Sequence, residues 1–413
     1  MQQPQPASSP PISLSQGRRT AITATLALLS IFPPLATDMY LAAMGDIAEA
    51  FGTGHSTIEL SLSLFFLGLC LGQLVMGPLL DAYGRKGPLL AGVALFSGCS
   101  VALLMVEDIA VFNALRLLQA VGACAGMVVG RAVVNDLYEG RQAAKAMTVL
   151  VMLMTLGPIV SPTLGSLLLE GFGWRAIFVA MVLVGLLALA LSALVIPETL
   201  PRERRVSAPF RSAARTAGHL LSRREFVVPA VVAGLIQGGM FAFITGSSGV
   251  FQGVFGLSSL SYGLLFAAIA AALFLSGQLN NKLLDRFDPA RIMAAGLPVY
   301  ALAGLALVVL SGTEALWVFV APLWLAIGMV GLLSANAMAI TMGAAREGAG
   351  IGSALLGAIQ FGLAFSVSSC VALGGSGTPL PMALGLLVPA SLAWLLWTVG
   401  HRGQGAEAEM AEA

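Results

Sequence analysis

Gly77 to Gly92 reads GPLLDAYGRKGPLLAG, and 204 residues further on Asn281 to Gly296 reads NKLLDRFDPARIMAAG. Leu79-Leu80-Asp81 aligns with Leu283-Leu284-Asp285, Tyr83 with Phe287, and Ala91-Gly92 with Ala295-Gly296. Each stretch joins the second apolar run of its half to the third. Duplicated units at this offset predict two halves of six spans each, with a site at the interface between them.

The composition agrees with a chain made for lipid. Of 413 residues 58% are hydrophobic and 10% charged, and the mean hydropathy is +0.91. A soluble domain carries about 25% charged residues. A span needs about 20 apolar residues to cross ~30 Å of hydrocarbon. That window predicts twelve: 21–44, 58–80, 88–106, 110–131, 146–169, 173–196, 226–249, 259–280, 291–311, 315–341, 349–373 and 379–400. The expected fold is an all-α membrane protein of twelve transmembrane helices in two pseudo-symmetric six-helix halves. The halves are 21–196 and 226–400, flanked by a disordered tail at 1–20, a basic linker at 197–225 and a tail at 401–413. Gly17-Arg18-Arg19 before an apolar run resembles an export signal. The many spans that follow, and Asp38 inside the run, point instead to a first helix that stays attached. Cys70, Cys99, Cys124 and Cys370 all lie in apolar segments without CxxC spacing, so they read as buried thiols and not as a zinc site.

Lysine and arginine set the orientation. With the N-terminus in the cytoplasm, every one of the 21 faces inward except Arg175, in an outer loop, and Arg116, inside span 4. The outer loops carry Asp46, Glu49, Glu107, Asp108, Glu170 and Glu314. The arginines of the linker (202, 204, 205, 211, 215, 223 and 224) need no ligand beyond this bias.

Two charges sit where lipid should make them expensive. An aspartate at the centre of a span costs about 2.5–3.5 kcal/mol on insertion scales. Asp38 lies six residues from the outer end of span 1, and Arg116 six residues into span 4, each about 9 Å deep at 1.5 Å per residue. They read as the only intramembrane charges of the first half, at matched depth, with Arg116 offsetting part of the cost of Asp38. A carboxylate poised between desolvation and a guanidinium changes protonation as a cavity opens or closes. A structural ion pair is the alternative. Pro33-Pro34 interrupts span 1 below Asp38, and Gly157-Pro158 with Pro162 interrupts span 5. Gly157, Ser161 and Gly165 form a stripe of small residues that permits close packing. In the loop after span 2, Gly77, Asp81, Gly84, Arg85 and Lys86 combine turn residues with an acid and two bases, enough to lock one arrangement of that face or to form a plain tight loop.

These stretches together carry a resemblance. GPLLDAYGRKG is similar to the loop signature of the major facilitator superfamily, and ALRLLQAVGACAG, with Arg116, Gln119 and Gly122, to its proton-linked motif. LGPIVSPTLGS (Gly157, Pro158, Pro162, Gly165) resembles its antiporter motif. TDMYLAAM resembles the first-span signature of the bicyclomycin/chloramphenicol-resistance (Bcr/CflA) drug:proton antiporters, as do PETL (Pro197–Leu200) and GAIQFGL (Gly357–Leu363). Ala42, Ala82 and Asn135 depart from that pattern. The resemblance implies that Asp81 caps span 11, that Arg85 pairs with Asp136, and that this bonding favours an outward-open state. It also implies a multi-pass protein of the bacterial inner membrane with both termini in the cytoplasm.

The second half has no charge within its spans. Its cavity candidates are Gln237 and Phe241 in span 7, Asn336 in span 10, and Gln360 and Phe361 in span 11, joined from the first half by Asp38, Tyr40 and Gln119. An apolar, aromatic pocket with a few amides suits amphiphilic drugs. The expected function is proton-driven efflux of such drugs by alternating access, with Asp38 as the proton carrier. A proton-linked carrier of a small metabolite, working in either direction, is the alternative. The chain has no GxxxxGK[ST] loop for ATP. His55, His219 and His401 fall in loops or at a span end, which speaks against an intramembrane enzyme. No cofactor, metal or nucleic acid is expected, and the partners are protons, a small molecule and the bilayer around a monomer.

Overall fold

The computed structural model describes residues 15–138, 140–206, 209–345 and 349–412. Its helices are α1 (Gln16–Ser30), α2 (Phe32–Leu41), α3 (Met44–Ala50), α4 (His55–Tyr83), α5 (Lys86–Ala102), α6 (Ile109–Leu137), α7 (Gly140–Phe172), α8 (Arg175–Val195), α9 (Pro209–Ser222), α10 (Arg224–Ser248), α11 (Ser259–Leu284), α12 (Pro289–Val309), α13 (Leu316–Ala344), α14 (Ala349–Gly374) and α15 (Leu380–Glu412). Among the described residues eleven spans are long and apolar enough to cross a bilayer, α1 and α2 counting as one, and α5 is a shorter apolar helix. Together they are the twelve predicted crossings.

Hydropathy explains the helices, and a few polar residues explain their ends. Asp108 precedes α6 and accepts the Val111 N–H at 2.9 Å, while Ser258 does the same for Ser261 N–H at the start of α11. The first span is a helix in two pieces: α1 stops at Ser30, and α2 restarts at Phe32 with proline in its first turn. Proline fits a first turn because that N–H has no intrahelical acceptor. In span 5 the expectation fails. α7 runs unbroken through Pro158 and Pro162.

Two ends depart from the expected domain map. α1 begins at Gln16, inside the stretch read as a disordered tail, of which residues up to 14 lie outside the described residues. α15 continues to Glu412, although the side chains from His401 onward lie outside the described residues. The linker holds a helix, α9, which packs Leu220 inward. Its apolar residues recur at helical spacing (Phe210, Ala213, Ala217, Leu220), and Arg211 and Arg215 occupy the remaining surface.

The ends of the crossings alternate between a basic face, which holds α9, and an acidic face, which holds α3. At the acidic face the two halves are closed on each other. Ser166 Oγ of α7 donates to Ser259 O at 2.8 Å, Thr163 Oγ1 to Gly263 O at 3.3 Å, and Gln252 Nε2 to Ala42 O at 3.4 Å. At the basic face a vestibule of about 900 Å³ separates α4 and α6 from α9 and α14. Along the bundle α4 and α14 stay in contact: Cys70 Sγ lies 3.3 Å from Ala358 O, and Gln73 fills the space a side chain at Gly357 would need.

Candidate functional site

Asp38 and Arg116 are both buried, at 1% and 0% exposure, yet they are not an ion pair. Arg116 donates to Gln119 Oε1 at 2.7 Å and to Ala36 O at 2.8 Å, and its guanidinium lies over the rings of Tyr40 (4.4 Å) and Phe65 (4.7 Å). Helical geometry gives the reason. Ala36 and Tyr40 are four apart and share the face of α2 turned to α6, whereas Asp38, two residues from each, is rotated by about 200°. Its Oδ1 accepts the Thr37 hydroxyl at 2.8 Å, and it lies within electrostatic range of Tyr262 on α11, in the other half. The matched depth is real, but the faces are opposite. Arg116 is therefore held by a carbonyl, an amide and two rings, which leaves Asp38 without a counter-ion among the described residues.

This arrangement also removes several expected pocket residues. Gln119 accepts from Arg116 and donates to Ser100 Oγ at 2.8 Å, and the Tyr40 hydroxyl bonds Ser61 Oγ at 2.7 Å, so both amide and phenol are used inside the first half. Asn336 is buried and donates to Asn280 Oδ1 at 2.7 Å, tying α13 to α11. Gln237 accepts from Ser334 at 3.1 Å and stays partly exposed, as do Phe241, Gln360 and Phe361. Phe241 meets Phe361 at 5.9 Å between ring centroids and Phe66 of α4 at 4.3 Å, an aromatic cluster that spans the two halves. None of these four borders the vestibule. That is lined by Gln73, Asp81, Arg85, Arg131, Asn135 and Asp136 among apolar side chains.

Arg131 ends a predicted span, where a window of hydropathy treats it as a loop charge. It reaches across to Ser353 Oγ of α14 at 3.3 Å. Glu59 lies at such a boundary too. It is the second residue of the predicted span 58–80, but α4 starts at His55 and buries Glu59 to 1% exposure. Asp38 and Arg116 are thus not the only buried charges of the first half.

The loop after α4 is a clamp at the basic face. Arg85 donates to Asp136 Oδ2 at 3.0 Å and to Asp81 Oδ1 at 3.1 Å. Burial pulls the Arg85 guanidinium down, but the bonds and charges of Asp136 and Asp81 outweigh it and hold the group above its ordinary value. The residues just before Ala349, where an Asp81 cap on span 11 would fall, lie outside the described residues. Gly84 ends α4 at φ 90°, a left-handed turn, and a side chain there would strike Glu198 and Arg205.

The PETL segment explains itself here. Glu198 accepts the N–H groups of Arg85 (2.8 Å) and Lys86 (3.4 Å), capping α5, and Thr199 Oγ1 donates to Asp136 at 2.6 Å. Lys86 Nζ reaches Ala193 O at 2.7 Å near the end of α8. Burial pushes Glu198 up, but three backbone N–H groups and the Arg205 charge win and hold it below its ordinary 4.5. A depressed carboxylate contributes stability that is complete above its unfolded value and is lost as pH falls through the lower folded one. Glu198→Gln should therefore lower the melting temperature by roughly 2 °C at pH 7, with the gap closing once the pH is taken well below 4.5. A gap that is the same at both pH values would remove the charge from the account.

The family model of the Major Facilitator Superfamily matches residues 26–369, and the chain belongs to that superfamily. Among its relatives is a bicyclomycin resistance protein homolog of Haemophilus influenzae, 30% identical over 87% of this chain and 90% of the other. A chloramphenicol resistance protein of Pseudomonas aeruginosa is 32% identical over 91% of this chain and 87% of the other. These relatives support the Bcr/CflA branch that the motifs pointed to. A crystal structure of a bacterial homolog of the human lysosomal transporter Spinster, inward-facing and unoccupied, shares the fold with a TM-score of 0.66 at 16% identity, covering 94% of this chain and 96% of that one.

Proposed function

We propose that this chain is a proton-driven exporter of amphiphilic drugs that works by alternating access, with Asp38 as the proton carrier. The observation that carries the reading is Asp38 itself. It is a buried carboxylate without a counter-ion among the described residues, within electrostatic range of Tyr262 in the opposite half, in a bundle closed at one face and indented at the other. The names of the relatives supply drug resistance as the cargo class. The basic face is the cytoplasmic one, by the excess of lysine and arginine there, and the vestibule is then the inner entrance. Phe66, Phe241 and Phe361, with Gln237 and Gln360 beside them, form the substrate site beyond the vestibule. The Arg85 bonds to Asp81 and Asp136, intact beside the open vestibule and the closed acidic face, do not by themselves hold an outward-open state. One proton crossing 100 mV releases ~2.3 kcal/mol, and each pH unit adds ~1.36 kcal/mol, enough for modest uphill export without ATP.

The test is reconstitution in liposomes with an imposed pH gradient and a trapped pH dye, followed by a panel of cationic and neutral amphiphilic drugs. At least one drug should dissipate the gradient in protein-containing vesicles and leave protein-free vesicles unchanged. A response to polar metabolites alone would overturn the drug reading and leave the carrier fold intact.

A further inference from the structure

We propose that His55 and Glu59 form a proton latch at the acidic face, separate from Asp38, which binds one proton as that face closes and releases it as the face opens. The inference rests on the exporter reading for its sidedness, since the acidic face must be the outer one. Its geometry stands independently.

Glu59 is 1% exposed, and its Oε2 receives no hydrogen bond from the described residues. Its other oxygen lies 3.8 Å from His55 Nε2, one helical turn back on α4. The lid over the pair comes from the other half. Gly249 follows directly on α10, where the chain widens into a π turn over Gly249–Val254. A Cβ built on Gly249 would sit 3.1 Å from Glu59 Oε1, 3.4 Å from His55 Cδ2 and 2.6 Å from Cβ of Ser376, in the turn between α14 and α15. Glycine is what allows the second half to close down on the carboxyl.

Among the described residues no other charge pairs with Glu59. The lid presents a glycine and a serine. On α3, which also packs against α4, the acids Asp46 and Glu49 carry the same sign as Glu59 and offer it no counter-charge. Arg116 is committed to Gln119 and Ala36. An ionised carboxylate beside a neutral imidazole would therefore be enclosed without compensation, which is the expensive way to bury a charge. One added proton removes the problem in either of two forms, a neutral carboxyl with a neutral imidazole or a carboxylate–imidazolium pair. The proton comes from water on the outer side, forming an O–H or N–H bond, and returns to it when the lid lifts and both groups are hydrated again. Acid outside then favours closure of the outer face, which is the direction a proton gradient across the membrane would drive.

The test needs no drug. Spin labels at Glu107→Cys and Glu314→Cys, both in exposed loops of the acidic face on opposite halves, report its opening in a background with the four native cysteines replaced by alanine. The measurement is made with Asp38→Asn present, so that Asp38 contributes no titration. The ratio of the open to the closed population should rise about tenfold per pH unit across the titration window, the slope of one linked proton. Glu59→Gln, which mimics the protonated carboxyl, should stay closed across that window. His55→Gln should move the window while keeping the slope. Gly249→Ala should raise the open fraction at every pH and shows that the labels read opening. A slope in Glu59→Gln equal to that of the unsubstituted pair, or no slope in its presence, overturns the latch. A drug panel without response, beside an intact slope, overturns the exporter reading alone.

Discussion

Asp38→Asn should bind drug and lose its ability to accumulate it. With a membrane potential of 100 mV and no pH gradient, one proton supplies ~2.3 kcal/mol, so for a neutral drug the steady-state ratio across the vesicle membrane should fall from about fiftyfold to unity. The substitution is suited to the question because it removes the proton site and little else. Thr37 Oγ1 donates to Asp38 Oδ1 at 2.8 Å, and the asparagine carbonyl can accept the same bond. Arg116 has no contact with the carboxylate to lose, being bound to Gln119 and Ala36. Had the two been an ion pair, the variant would have left a guanidinium buried alone, at a cost of about 3–5 kcal/mol, and a dead protein would have meant nothing. The geometry separates coupling from folding. Equal accumulation by Asp38→Asn, measured with a fluorescent drug in the same vesicles, would make Asp38 structural and move the proton elsewhere.

The contrast between Asp38 and Arg116 also shows what the sequence discloses. Depth along a span follows from counting residues at 1.5 Å each, and the spans follow from a running average of hydropathy. Both are local sums, so the twelve crossings, the two halves and the basic face were legible. Direction around a helix depends on which neighbour packs where, and that is a tertiary fact. Asn336 has the sequence signature of a pocket amide because nothing nearby in sequence announces Asn280 across the helix pair. Glu59 and Arg131 were lost at predicted boundaries, where one turn of extra helix turns a loop charge into a buried one. The linker helix α9 was hidden by its own arginines, which lowered the average while its apolar stripe stayed intact. PETL was visible only as a motif. Its chemistry, a carboxylate capping α5 and a hydroxyl on Asp136, needs α4, α5, α6 and α8 brought together.

Gly165→Ala should cost far more than one methyl group suggests. Alanine is worth up to about 1 kcal/mol over glycine inside a helix, so the substitution ought to stabilise α7 taken alone. In the folded protein a Cβ at residue 165 would lie 2.8 Å from Cα and 2.9 Å from the carbonyl carbon of Met39, with Met39 O nearer still. Backbone cannot rotate out of the way as a side chain can, so α2 and α7 would have to part. Overpacking of this kind costs about 1–3 kcal/mol, and the displaced segment is the one next to Asp38. Gly157 makes a matching contact one end further along, where a Cβ would stand 2.7 Å from both Cβ and Cγ of Pro34. The two glycines therefore grip α2 on either side of Asp38. That gives the small-residue stripe of α7 a physical role, fixing where α2 and its carboxylate sit. Gly157→Ala meets a ring edge and should be milder than Gly165→Ala, which meets main chain. Gly277→Ala, with nothing within 4 Å of the added atom, should leave stability unchanged or slightly raised. Thermal unfolding in detergent ranks the three, and drug-driven proton flux should fall in the same order, by tenfold or more for Gly165→Ala if the full 1.4 kcal/mol or so lands on the coupled step. Should Gly165→Ala unfold and transport as Gly277→Ala does, the close approach of α2 to α7 is not what positions Asp38.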